Sequence, residues 1–168
     1  ATVGTGTSVS STQAGTPFGT YYEDGRHQYL ILASELTAAG LQAGSINSIS
    51  FEIAVVGSPA MSNFNIQMGS TSLTALTTTF ETGLSSVYSN AAYTFAGTGW
   101  QTIALNTPFI WDGTSNIVVQ ICFDNSGYSS NTTVVYSTTA ANLHHYGYAD
   151  ATTGCSMTSP TNNGLNDI

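Results

Sequence analysis

Residues 45–55, "SINSISFEIAV", place Ile46, Ile49, Phe51, Ile53 and Val55 on one side of an extended chain once a one-residue slip near Asn47 is allowed. Alternation with period two is the mark of a half-buried β-strand. Working outward, "NFNIQMGS" (63–70) repeats it, with Phe64, Ile66 and Met68 on one face and Asn65 and Gln67 on the other. "WQTIALNTPFIW" (100–111), "SNIVVQICFDN" (115–125) and "TTVVYSTT" (132–139) read as three more strands, the second apolar enough to be buried on both faces.

One segment breaks this pattern. In "LILASELTAAGLQAG" (30–44), Ser34, Glu35, Leu36, Ala38 and Ala39 favour a short helix, and Gly40 is placed to end it in the left-handed conformation. A single short helix among short strands predicts an all-β fold, an antiparallel β-sandwich with one short helix at one end. The closing "TSPTNNGLNDI" (158–168) reads as turn and does not end in a strand.

At 168 residues the chain has the length of a single domain, 1–168. Charged residues make up 6% against about 25% in an average soluble domain, so solubility rests on hydroxyls and amides. That balance points to an extracellular or cell-surface protein. A net charge of -8 with a single Lys or Arg leaves nothing to neutralise phosphates, which excludes nucleic acid and anionic lipid surfaces as partners. No apolar run approaches the ~20 residues of a membrane-spanning helix, so no membrane insertion is expected.

Cys122 and Cys155 follow no zinc-ligand spacing. A disulfide fits an oxidising compartment and would add ~3 to 4 kcal/mol in the chain-entropy account, two buried thiols being the alternative.

The quoted strands, with "GRHQYLILASELTAAGLQAGSINSISFEIA" (25–54), "NFNIQMGSTSLTALTTTFETGLSSVYS" (63–89) and "GWQTIALNTPFIWDGTSNIVVQICFDN" (99–125), resemble the jelly-roll-like β-sandwich modules of secreted and surface proteins of Bacteroidota. Many of those use the type IX, gliding-associated export route. The stretches "RHQYLILASEL" (26–36) and "PFIWDGTSNIVVQ" (108–120) are the most specific. The resemblance implies a non-catalytic extracellular module for adhesion, surface attachment or matrix building. It also implies a closing strand where this sequence reads "NGLNDI", so the sandwich is expected to be completed by another strand of the chain or by a neighbouring molecule.

Arg26 stands with Glu23, Asp24, His27 and Glu35. Paired carboxylates can run glycoside hydrolysis. The structural alternative, favoured by the resemblance on this stretch, is an ion pair in which Arg26 forks onto Glu23, Asp24 or Glu35 and pins the loop before the helix. No G-x-S-x-G elbow is present, and the lack of Lys excludes Schiff-base chemistry. No catalytic residue is assigned.

In "NLHHYGYAD" (142–150), alternation sends His144, Tyr146 and Tyr148 to one face and His145 to the other. Rings beside Asp and Asn suit a polysaccharide surface; core packing of the same face is the competing reading. Asp112 and Asp124, with Asn125, Glu23 and Asp24, offer hard oxygen ligands for a structural calcium, although their spacing matches no EF-hand and Asp-Gly and Asp-Asn-Ser-Gly are turn formers first. No other cofactor is expected. "NTT" at Asn131 matches a glycosylation acceptor.

Edge strands are commonly blunted by Lys or Pro, and this chain has no Lys and four Pro. The leading expectation is therefore a non-enzymatic structural or adhesion module that self-associates, or joins other surface-protein subunits, by strand exchange into a filament or layer. The alternative is a carbohydrate-binding module that tethers a cell or secreted enzyme to polysaccharide.

Overall fold

The computed structural model describes residues 1–10, 16–58, 60–139, 142–151, 153–164 and 166–167, with the backbone alone for 162–164 and 166–167. Along them run β1 (Ser8–Val9), β2 (Asp24–Ile31), helix α1 (Ala33–Ala38), β3 (Gly44–Val55), β4 (Met61–Thr71), β5 (Ser85–Tyr93) and β6 (Gly99–Trp111). Then follow β7 (Asn116–Asp124), β8 (Thr133–Thr138), β9 (His144–Ala149), a 3-10 turn (Gly154–Ser156), β10 (Asn162–Gly164) and β11 (Asn166–Asp167). One sheet has the order β10-β9-β2-β7-β4-β5; the other has the order β1-β8-β3-β6, with β11 also on β8. Every ladder is antiparallel. The chain is thus an all-β antiparallel sandwich with one short helix.

The alternating residues fill the space between the sheets. Phe51 and Ile53 of β3, Phe64, Ile66 and Met68 of β4, and Ile117, Val119, Ile121 and Phe123 of β7 share one core with Phe18 and Trp111. Each fully buried side chain of this size contributes ~1.5 to 3 kcal/mol by leaving water. The slip near Asn47 is a register shift between Ile46 and Ser48 in the β3–β6 ladder. Val55, expected inside, is exposed, because the register shifts again between Ile53 and Val55 where β3 meets β8.

β7 is buried on both faces, as its apolar run predicts. Its second face lies under the segment 72–84, where Leu76 packs on Leu30, Val118 and Leu143, flanked by Leu73 and Leu84. Helix α1 ends where expected: Gly40 has φ +85°, its N–H reaches the Thr37 carbonyl, and the Leu41 N–H closes back on Leu36. This is a Schellman cap, which needs a left-handed residue at Gly40.

Two readings are corrected. Residues 24–31 form a strand in the interior of the six-stranded sheet, paired to β7 and β9, and not a loop before the helix. Residues 162–164 pair with β9 and 166–167 with β8, although the closing stretch was read as turn. These are main-chain bonds to available edges, which Asn and Gly form without an apolar alternation. Leu165 and Ile168 lie outside the described residues.

Candidate functional site

Strand alternation splits the cluster around Arg26. On the outer face of the six-stranded sheet lie Arg26 and Gln28 of β2, Gln120 and Cys122 of β7, and His145 of β9, side by side in the ladders. Arg26 Nε donates to Gln120 Oε1 at 2.8 Å, its Nη1 donates to the Met157 carbonyl, and the guanidinium sits 4.4 Å from the centre of the Phe80 ring. Burial lowers the Arg26 pKa from its usual value. Gln28 Nε2 donates to the Glu81 carbonyl and to Gln120 Oε1, and its Oε1 accepts the Glu81 N–H. These bonds tie the segment 72–84 down over the polar patch, and they satisfy groups whose burial would otherwise be costly.

The hydrogen bonds of Arg26 to Gln120 and Met157 are thus made to neutral groups. Glu35 is used locally, its Oε2 accepting the Leu32 N–H at 2.8 Å to cap α1. Glu23 accepts the Ala151 N–H through Oε2, and its own N–H donates to Asp150 Oδ1. Asp24 is fully buried at the start of β2, opposite Asp124. Glu23 and Glu35 flank opposite ends of β2, roughly 23 Å of extended chain apart, and make no catalytic carboxylate pair.

The Cys122–Cys155 disulfide is present on this outer face, with Cα atoms 5.2 Å apart. Gly154 makes the approach possible, since a Cβ there would stand 2.1 Å from the Phe123 carbonyl oxygen. The bridge fixes the turn whose next residue, Met157, supplies the carbonyl to Arg26.

The inner face carries rings. His144 and Tyr146 are buried there, with Tyr148 half-buried, and His145 faces the other way, as alternation predicts. His27 Nδ1 and His144 Nε2 are 3.1 Å apart, and His144 stacks on Tyr29 with centroids 4.2 Å apart. Burial drives the His27 pKa down to about 3, helped by the charge of His145, and holds His144 well below its usual value. His145 stands between Gln28 Oε1 and the Thr77 carbonyl; burial lowers its pKa, the Thr77 carbonyl opposes that and the Arg26 charge assists it. The ring patch proposed for a sugar is therefore largely core; among its three members only Tyr148 approaches the surface, stacked on Tyr22 at 4.3 Å.

Asp112 and Asp124 lie at opposite ends of β7 and do not converge, whereas Asp24 is the cross-strand neighbour of Asp124. Asp112 closes the β6–β7 turn, accepting the N–H groups of Thr114 and Ser115 and the Ser115 hydroxyl, which hold its pKa well below the carboxylate range. Asp124 lies at the far end of β7, and Asn125 Oδ1 accepts the Ser62 N–H. Among the described residues no group of three or more His, Cys, Asp or Glu is placed to hold a metal. Asn131 is half-buried, its Oδ1 accepting the Tyr21 N–H.

The sequence reading expects an incomplete sandwich but does not place the gap, which lies in the smaller sheet. β3 pairs with β6 from Gly44 to Ile53, but with β8 only at Ile53 and Val55. Beyond that point β8 diverges, and among the described residues no strand pairs with 44–52 on that side. A cavity of about 430 Å³ lies there. Tyr29, Ile31 and Val119 of the opposite sheet form its floor, and α1 contributes Leu36. Ile49 and Phe51 from the inward side of β3 and Ser48, Ser50 and Trp100 from the outward side line the same space, so it wraps over the free edge of β3. Residues 1–3 stand at its margin. No known protein family, curated protein or solved structure matches this chain, and the resemblance to Bacteroidota surface modules rests on the quoted stretches alone.

Proposed function

We propose that the chain is a non-enzymatic extracellular structural module that assembles with further copies by strand addition along the free edge of β3. The observation that carries this reading is the coincidence of unpaired backbone at 44–52 with the apolar cavity beside it. An added strand would gain main-chain hydrogen bonds from the edge and bury alternate side chains in the cavity, which is how strand addition combines affinity with specificity.

The occupant is residues 1–9 of a second copy. "ATVGTGTSV" is extended over Ser8–Val9, carries no charged side chain, and alternation sets Val3, Thr5, Thr7 and Val9 on one side. Residues 1–9 are exposed in the single chain, apart from the half-buried Val3, which packs against the core. Residues 1–3 of the same chain already border the cavity, so exchange needs only replacement of a chain's own segment by its neighbour's. The disulfide and the low-charge surface support an oxidising, extracellular setting. The module type is the one that the quoted stretches resemble.

The test is light-scattering mass and electron microscopy at rising concentration. Assembly is expected for the parent and lost both in Ile49→Lys, which puts a charge in the cavity, and in a chain lacking residues 1–9. Mixing the two variants should give discrete pairs, because one keeps the donor segment and the other the acceptor edge. A monomer at every concentration, or assembly untouched by either change, would refute the proposal.

A further inference from the structure

The end of the sandwich where β2 begins and β7 and β9 finish carries Tyr21, Tyr22, Tyr128 and Tyr148. Tyr21 and Tyr128 have ring centres 6.3 Å apart, Tyr21 and Tyr22 meet edge to face at 5.5 Å, and Tyr22 stacks on Tyr148. Tyr128 is 73% and Tyr21 59% exposed. From Tyr148 the series continues inward to the buried Tyr146, so the outer rings stand on the core.

The backbone beneath them is tied down. The Tyr21 N–H donates to Asn131 Oδ1 at 2.9 Å, the Ser129 N–H to the Thr20 carbonyl at 2.6 Å, and the Thr20 hydroxyl to the Ser130 carbonyl at 2.9 Å. The Asn125 N–H donates to the Glu23 carbonyl at 2.9 Å. The two loops are locked to each other, and the rings they display are preorganised for a contact. Around the rings the groups are polar. Glu23 and Asp150 each spend one carboxylate oxygen on a backbone N–H, which leaves Glu23 Oε1 and Asp150 Oδ2 as acceptors, and Ser126 and Ser130 are exposed.

We propose that this end of the sandwich binds a neutral polysaccharide. The rings of Tyr21 and Tyr128 cover the apolar face of successive pyranoses, and the carboxylates of Glu23 and Asp150 accept hydrogen bonds from their hydroxyls. Acidic polymers are disfavoured by the same carboxylates and by the net charge of -8. A second copy is disfavoured for the same reason, since it would bring its own acids against these. The site lies on loops at the strand ends and does not depend on the free edge of β3.

The test is native-gel retardation of the dilute, monomeric chain in gels cast with soluble galactomannan, mixed-linkage β-glucan, arabinoxylan or alginate. Retardation is expected in at least one of the three neutral gels and not in alginate. Tyr21→Ala and Tyr128→Ala should each weaken binding about three- to tenfold, the double variant should run unretarded, and Ile110→Ala, at an exposed side chain of the other sheet, should behave as the parent. All four variants alter exposed side chains, so unchanged melting temperatures are the folding control. No retardation in any neutral gel, or retardation that survives in the double variant, overturns the proposal. So does a concentration-dependent mass, without polysaccharide, that the double variant abolishes, because the rings would then serve a contact between copies.

Discussion

Replacing both cysteines, Cys122→Ala with Cys155→Ala, removes a link between positions 33 apart in sequence. In the chain-entropy account the unfolded chain then regains ~12.5 cal/mol/K, or about 3.7 kcal/mol at 25 °C. Cys122 is fully buried, and losing its sulfur adds a packing loss of roughly 1 kcal/mol. The expected total of about 4 to 5 kcal/mol corresponds, for a chain of this length, to a melting temperature lower by roughly 8 to 20 °C. The loss should be felt first in the turn at Gly154–Ser156 and the chain after it, which supplies the Met157 carbonyl to Arg26 and the Thr161 N–H to the Tyr146 carbonyl. Guanidinium unfolding under non-reducing conditions gives the total, and hydrogen exchange of the Thr161 amide gives the local part. Exchange there should quicken by more than the global change accounts for. A total loss below about 1.5 kcal/mol with Thr161 still protected would refute the reasoning, because it would mean that packing alone holds the segment on the sheet.

Arg26→Met should cost about 2 to 4 kcal/mol in urea unfolding, because the Met157 carbonyl is left without its donor and the Phe80 ring without its cation. Arg26→Lys should recover less than half of that, since an ammonium cannot reproduce the fork to Gln120 and Met157; full recovery would contradict this account. Stability should also fall as the pH drops from 6.5. The folded chain keeps His27 neutral down to about pH 3, and burial holds the His144 pKa well below its usual value, whereas both take up protons near pH 6.5 when unfolded. The unfolded state then binds more protons, and the loss is up to about 1.4 kcal/mol per pH unit for each histidine within that window. Urea midpoints at pH 7.5, 5.5 and 4.5 test this, and a flat profile would mean that these rings are not buried as neutral species.

The strands that carry a one-sided apolar alternation were legible because burial of one face imposes period two on the sequence. Phe51 and Ile53, then Phe64, Ile66 and Met68, were placed inside from that pattern alone, and they are inside. The double burial of β7, the helix with its Gly40 cap and the opposite facing of His144 and His145 followed from equally local rules. The disulfide was expected, against two buried thiols, from two cysteines that fit no zinc-ligand spacing, and it is present.

β2 was not legible as a strand, since its outer face carries Asp24, Arg26 and Gln28 and still lies buried. Arg26 is satisfied by Gln120 and Met157, 94 and 131 residues away, and Gln28 by Glu81, 53 residues away. Periodicity records which face of a strand is wet or dry; it does not record which distant group will meet a buried polar atom. The partners of Arg26, the core position of Tyr146, the open edge of β3 and the joining of Tyr21 to Tyr128 were therefore settled only when the two sheets packed. Each depends on contacts between segments remote in sequence, and their meeting is fixed by the close-packing of the whole core rather than by the local chemistry of any one stretch.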